Sequence, residues 1–198
     1  MLAAMVLQDV TARIAAATAR SGRPAGAVTL VAVSKVQPLD RIEAVLRAGQ
    51  RVFGENRVQE AEGKWPPLRA RFPGTELHPV GPLQSNKLAR ALELFDAIHS
   101  LDRDSLARKL GQAVQARGTC PTLFLQVNTG REPQKAGVDP DALATLLAAC
   151  RATYDLPISG LMCIPPVPPD PDPGGRNAGG RLRHLRDPRD LRSARGRA

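Results

Sequence analysis

The sequence predicts an α/β protein of parallel strands joined by helices, and it favours a (β/α) barrel over an open doubly wound sheet. Three observations carry this. Over the first 164 residues, apolar runs of strand length alternate with stretches of helical periodicity. The connections are mostly short and marked by Gly or Pro, as right-handed crossovers between parallel strands require. Polar and Gly-rich clusters follow nearly every strand, and a barrel gathers all such loops at one end, whereas an open sheet has a single crevice. With only 3% aromatic residues the core must be built from Leu, Val, Ile and Ala, which suits helices laid on a parallel sheet.

The elements follow in order. Leu7, Val10 and Ile14 recur at helical spacing in an Ala-rich first helix. The apolar run Val28 to Val33 reads as a buried strand, delivering Ser34 and Lys35 to its C-terminal end. Pro38 opens a helix with Leu39, Ile42, Val45 and Leu46 on one face, and Gly49 ends it. Arg51 to Phe53 is a short strand, and a helix from about Arg57 to Lys64 should stop at Pro66-Pro67. Glu76 to Val80 is a strand and Ser85 to Leu94 a helix. Asp96 to His99 forms the fourth strand, with Leu106, Leu110 and Val114 marking the helix after it. Thr122 to Val127 is a buried strand, Leu143, Leu146, Leu147 and Cys150 give the next helical stripe, and Ile158 to Ile164 is the last strand. These are six β units, five of them followed by helices.

The character of the chain then changes. The stretch from Pro165 to Gly175 is too rich in proline for helix or strand, and the rest, to Ala198, is mostly Arg, Asp, Gly and Leu. Residues 167–198 therefore read as a disordered tail behind a barrel domain at 1–166, with too little apolar content to offset the entropy of ordering. From Pro165 onward the net charge is +4, which leaves +5 of the total +9 for the preceding 164 residues. A modestly basic body without aromatic platforms is not a nucleic-acid recognition face. No stretch approaches the roughly 18 apolar residues of a membrane span. Leu2 to Leu7 lacks a preceding basic residue and is followed at once by Asp9, so a signal peptide is not expected. Cys120, Cys150 and Cys163 are widely separated and read as reduced cysteines of a cytoplasmic protein. His78, His99 and His184 do not group with them, and no metal is expected.

Each segment after a strand admits a chemical and a structural reading. An amine carried into an apolar site is easier to leave uncharged, which makes it a nucleophile toward a carbonyl; alternatively Lys35 simply reaches from a strand end into solvent. Asn56 of Gly54-Glu55-Asn56 can meet a ligand with its amide, or it can cap a helix with Gln59 as the reciprocal partner. In His78-Pro79-Val80-Gly81, Gly81 permits close backbone approach, and Ser85, Asn86 and Lys87 could meet an anion or form an ordinary cap. His78 is a pocket residue or a satisfied core histidine, and Met162 a ligand wall or core. No Walker loop and no G-x-G-x-x-G fingerprint is present.

Taken together, the ordered set VAVSK (31–35), GENRVQE (54–60), HPVGPLQSNK (78–87), QVNTGREPQKAG (126–137) and GLMCIPP (160–166) closely resembles the YggS/PROSC family, the pyridoxal phosphate homeostasis proteins. The resemblance runs from about Leu7 to Pro166. It implies a single TIM (β/α) barrel of the alanine racemase N-terminal type, here incomplete at about six βα units. It also implies pyridoxal 5′-phosphate held as a Schiff base on Lys35, with Asn56, His78 and Met162 lining the pocket. The role implied is to bind, buffer and deliver the cofactor to pyridoxal-phosphate-dependent apoenzymes, as a monomer and without a robust reaction of its own. The enzyme alternative is an amino-acid racemase of the same fold, which needs a second base; Tyr154, the one tyrosine, lies in a helix-terminal segment without catalytic context. The family continues beyond its GLM segment to an S-M-G-M-S-type and an R-x-G-type motif that hold the phosphate and approach the pyridine ring. Neither occurs after Pro166. That departure points to a truncated or frameshifted end and to weaker cofactor binding, with open hydrophobic strand edges. Reading the encoding DNA in its other frames checks it: no S-M-G-M-S-type peptide there would sink the frameshift.

Overall fold

The structure, a computed structural model, describes residues 2–165, so the tail expected at 167–198 lies outside the described residues. Among them, six parallel strands run in chain order: β1 (Ala32–Val33), β2 (Val52–Glu55), β3 (Glu76–Pro79), β4 (Ala97–Leu101), β5 (Thr122–Val127) and β6 (Ile158–Cys163). They pair as β1-β2-β3 and β4-β5-β6. The two halves meet where Asp96 N–H donates to Leu77 O (2.9 Å) and its carboxylate accepts from Leu77 N–H (2.8 Å). The helices are α1 (Leu2–Arg20), α2 (Leu39–Arg47), α3 (Val58–Arg71), α4 (Leu88–Leu94), α5 (Asp104–Arg117) and α6 (Leu143–Ala148). The barrel does not close over the described residues: β1 pairs only with β2, and β6 only with β5.

Parallel register aligns residues that share a face. Phe53 pairs with Leu77, and Ile98 with Leu123; all four are buried within the hydrophobic core. The opposite face carries Val33, Gly54 and His78 in one row, and Phe124 beside Gly160 in the other sheet. Trp65 and Phe53 pack with centroids 4.8 Å apart and ring planes tilted by 52°, and Leu46, Leu106, Leu110 and Leu125 are also among the fully buried side chains.

Three expectations change. The strand expected over Val28–Val33 is two residues long, and Val33 is half exposed. Its outer edge has no strand neighbour among the described residues. On its inner edge the Gln50 amide takes the place of ladder bonds, donating to Leu30 O (2.7 Å) and Val52 O (2.6 Å). Helix α3 does not stop at Pro66-Pro67 but continues to Arg71. Each interior proline costs about 3 kcal/mol, but Trp65 and Leu68 on either side are buried, and burying two such side chains recovers roughly 1.5–3 kcal/mol each. Asn56 does not cap α3, and Ser85 does not cap α4: the cap residues are Arg57 and Lys87, neither with a side-chain cap bond.

Candidate functional site

Lys35 lies in the turn after β1, exposed to solvent, as in the second of the two readings of the apolar run. The turn itself is tied down on both sides. Ser34 N–H donates to Gly54 O (2.9 Å), and the Ser34 hydroxyl donates to Glu55 Oε1 (2.7 Å). The buried Lys64 Nζ donates to Ser34 O (2.8 Å) and pairs with Glu55 Oε1 (2.7 Å) and Glu60 Oε1 (2.8 Å). Glu60 Oε1 also accepts from Val36 N–H at 2.6 Å. Trp65 Nε1 adds a further donor to Glu55 Oε1 at 2.9 Å, while the buried Glu55 Oε2 has no partner. The Lys64 hydrogen bond holds the Glu60 carboxyl below the usual carboxylate range, against partial burial that pushes the other way.

Asn56 follows β2 and is half-buried. A Cβ on Gly81 would sit 2.7 Å from Asn56 O and 2.8 Å from its Cα, so only glycine lets the loop after β3 lie against Asn56. The two loops border a groove of about 850 Å³ lined by Asn56, Arg57, Gln59, Pro82, Gln84 and Lys87. The groove therefore groups Asn56 with Lys87, and Lys35, His78 and Met162 do not line it.

His78 is buried on β3, in register with Gly54. Its ring stacks on His99 of β4 (centroids 5.1 Å), which stacks in turn on Phe124 of β5 (4.4 Å). A Cβ on Gly160 would meet the Phe124 ring at 3.2 Å, so glycine on β6 leaves the ring its place. His78 Nδ1 and His99 Nε2 lie 3.2 Å apart, and His78 Nε2 faces Glu76 Oε2 at 3.5 Å. A carboxylate can only accept, so Nε2 of His78 carries its proton, Nδ1 accepts, and His99 Nε2–H donates. Burial pushes the His78 pKa down, opposed by Glu76; burial and the His78 charge take His99 down to about 4. Both rings are thus neutral at pH 7.

Met162 is half-buried on β6, in register with Gln126 and on the same face as Gly160. Gln126 Nε2 donates to Ala136 O (3.2 Å), and its buried Oε1 has no partner. Gly137 (φ +124°) allows the intervening loop to return to β5: Val138 N–H donates to Gln126 O (2.8 Å), and a Cβ at Gly137 would lie 2.5 Å from Asn128 N. Tyr154 hydrogen-bonds through its hydroxyl to Asp104 at the start of α5 (2.7 Å), among the helices and not at the strand ends. The fold thus stacks His78 on His99 and Phe124, and sets Met162 beside Gln126 on the sheet that carries His99 and Phe124. Sequence reading missed His99, Phe124, Glu55, Glu60, Lys64 and Gln126. Only the spacing of Glu60 and Lys64, four apart on a helix, signals an interaction beforehand.

Comparison with known proteins agrees with this architecture. The sequence matches the family described as "Alanine racemase, N-terminal domain" over residues 7–188. The pyridoxal phosphate homeostasis protein of Vibrio cholerae is 38% identical over 166 residues, covering 83% of this chain and 70% of that protein. The crystal structure of an unknown protein from Bifidobacterium adolescentis superposes with a TM-score of 0.83 at 32% identity, covering 98% of this chain and 80% of that one. PipY of Synechococcus elongatus, solved with pyridoxal phosphate bound, is 42% identical with a TM-score of 0.65, covering 77% of this chain and 69% of that one. The chain has the TIM-barrel type of fold of the alanine racemase N-terminal domain, and it belongs to that family, among the pyridoxal phosphate homeostasis proteins.

Proposed function

We propose that this protein binds pyridoxal 5′-phosphate at the C-terminal mouth of its strands and serves intracellular homeostasis of that cofactor. In this reading Lys35 supplies the amine, Asn56, His78 and Met162 line the pocket, and the protein acts as a monomer that passes the cofactor to apoenzymes. The observation that carries it is an exposed primary amine on a turn whose flanking residues, Ser34 and Val36, are both tethered to the fold. The bound cofactor supplies an aldehyde carbon that a neutral primary amine attacks with loss of water.

The residues present fit such a ligand in three respects. The amine of Lys35 is accessible. The rings of His78, His99 and Phe124, stacked on one another, line the sheet face with aromatic groups against which a further ring can pack. On the row shared with Met162, Gln126 offers a buried acceptor without a partner. A racemase would require a second base, and Tyr154 is engaged with Asp104 instead.

Titration with pyridoxal phosphate, read by visible absorption and followed by borohydride reduction and peptide mass spectrometry, tests the proposal. The pyridoxyl mark is expected on Lys35 and should vanish in Lys35→Ala. A mark spread evenly over Lys64, Lys87, Lys109 and Lys135 would refute it.

A further inference from the structure

We infer that Glu60, together with Lys64, is a positioning residue for Lys35, holding the two peptide groups on either side of it so that its side chain is aimed from a fixed backbone. The inference rests on the cofactor reading above. The peptide before Lys35 is held through Ser34 O by Lys64 Nζ (2.8 Å), and the peptide after it through Val36 N–H by Glu60 Oε1 (2.6 Å). Both side chains come from α3, one helical turn apart, and bond each other at 2.8 Å. Lys64 is itself buried and anchored to Glu55, so the clamp is attached to the core and not to solvent.

Val36 shows what the clamp does. Its φ is +58°, the left-handed region that a β-branched residue adopts only under constraint. Its side chain is 84% exposed, so packing does not hold it there. The turn bond from Gln37 N–H to Ser34 O (3.2 Å) spans it, and the bond to Glu60 is the one that ties it to α3. Without it the turn should relax toward ordinary φ, and Lys35 should swing through many orientations.

The test has three readouts. In the apo protein, hydrogen exchange of the Val36 amide is expected to accelerate at least about tenfold in Glu60→Ala and to stay near wild type in Glu60→Gln, which keeps the acceptor oxygen. Labelling by pyridoxal phosphate and borohydride should lose about tenfold of its preference for Lys35 in Glu60→Ala, from lost orientation alone. Glu60→Gln should restore that preference, whereas Val36→Gly added to Glu60→Ala should not, because glycine takes the left-handed conformation freely without being held in it. Val36→Gly alone leaves α3 untouched and is expected to raise the melting temperature by about 1–4 °C as strain is relieved. Unchanged Val36 exchange in Glu60→Ala, or a lower melting temperature in Val36→Gly, would overturn the positioning role. Absence of any Lys35 preference in the wild type would instead bring down the cofactor reading, and the exchange data keep the two failures apart.

Discussion

His78 and His99 show how burial sets protonation at single residues. Their facing nitrogens at 3.2 Å can share only one proton, and a second would place two positive charges in contact inside the sheet. Both pKa values are depressed in the fold, with burial the leading cause, and His99 reaches about 4. A histidine depressed in the folded state binds its proton more readily once unfolded. Its effect on stability is therefore absent above pH 6.5 and grows as the pH falls toward 4. His99→Phe keeps the stack on Phe124 and removes one of the two titrating groups. Melting temperatures measured from pH 7 to 4.5 should then fall less steeply with acid than in the wild type. An unchanged slope would mean that these rings do not govern acid sensitivity.

At the level of elements, two loops are locked together by one missing methyl group. Gly81 brings the segment after β3 against Asn56, with 2.7 Å between a hypothetical Cβ and Asn56 O. The opposing atoms are backbone and cannot rotate away. Gly81→Ala is expected to cost about 2 kcal/mol of stability in denaturant unfolding, the usual penalty for overpacking. It should also weaken cofactor binding, since the added methyl pushes against the loop after β2, which carries Asn56. Helix α3 illustrates the opposite balance: local chemistry ends it at Pro66, yet the burial of Trp65 and Leu68 carries it on to Arg71. That extra length also sets Arg69 against Asp96, at 3.1 Å, where the two sheets meet.

For the whole molecule the open sheet is the dominant feature. Among the described residues β1 and β6 each have one strand neighbour, and Val28, Val33, Leu39 and Ile164 are exposed nearby. Unpaired edges with apolar side chains invite pairing with other chains. Light scattering of the full chain should therefore rise with concentration. Val28→Lys, a charge set ahead of β1, is expected to lower that rise severalfold with little change in melting temperature. Scattering that is equal for both proteins would show that the edge is covered by other means.

Periodicity and punctuation are local, and they determined the parallel α/β plan, the order of its six strands and the places where loops bearing Lys35, Asn56, His78 and Met162 would fall. The motifs in those loops also determined the family. What the sequence could not express is register across distance. His78 and His99, 21 residues apart, meet where β3 and β4 adjoin between the two sheets, and Glu60 reaches Val36 across 24 residues because α3 lies against β2 and the turn after β1. The same holds for the length of β1 and for the passage of α3 through two prolines. Both depend on which neighbours are present to pair or to bury, and only the assembled tertiary structure supplies those neighbours.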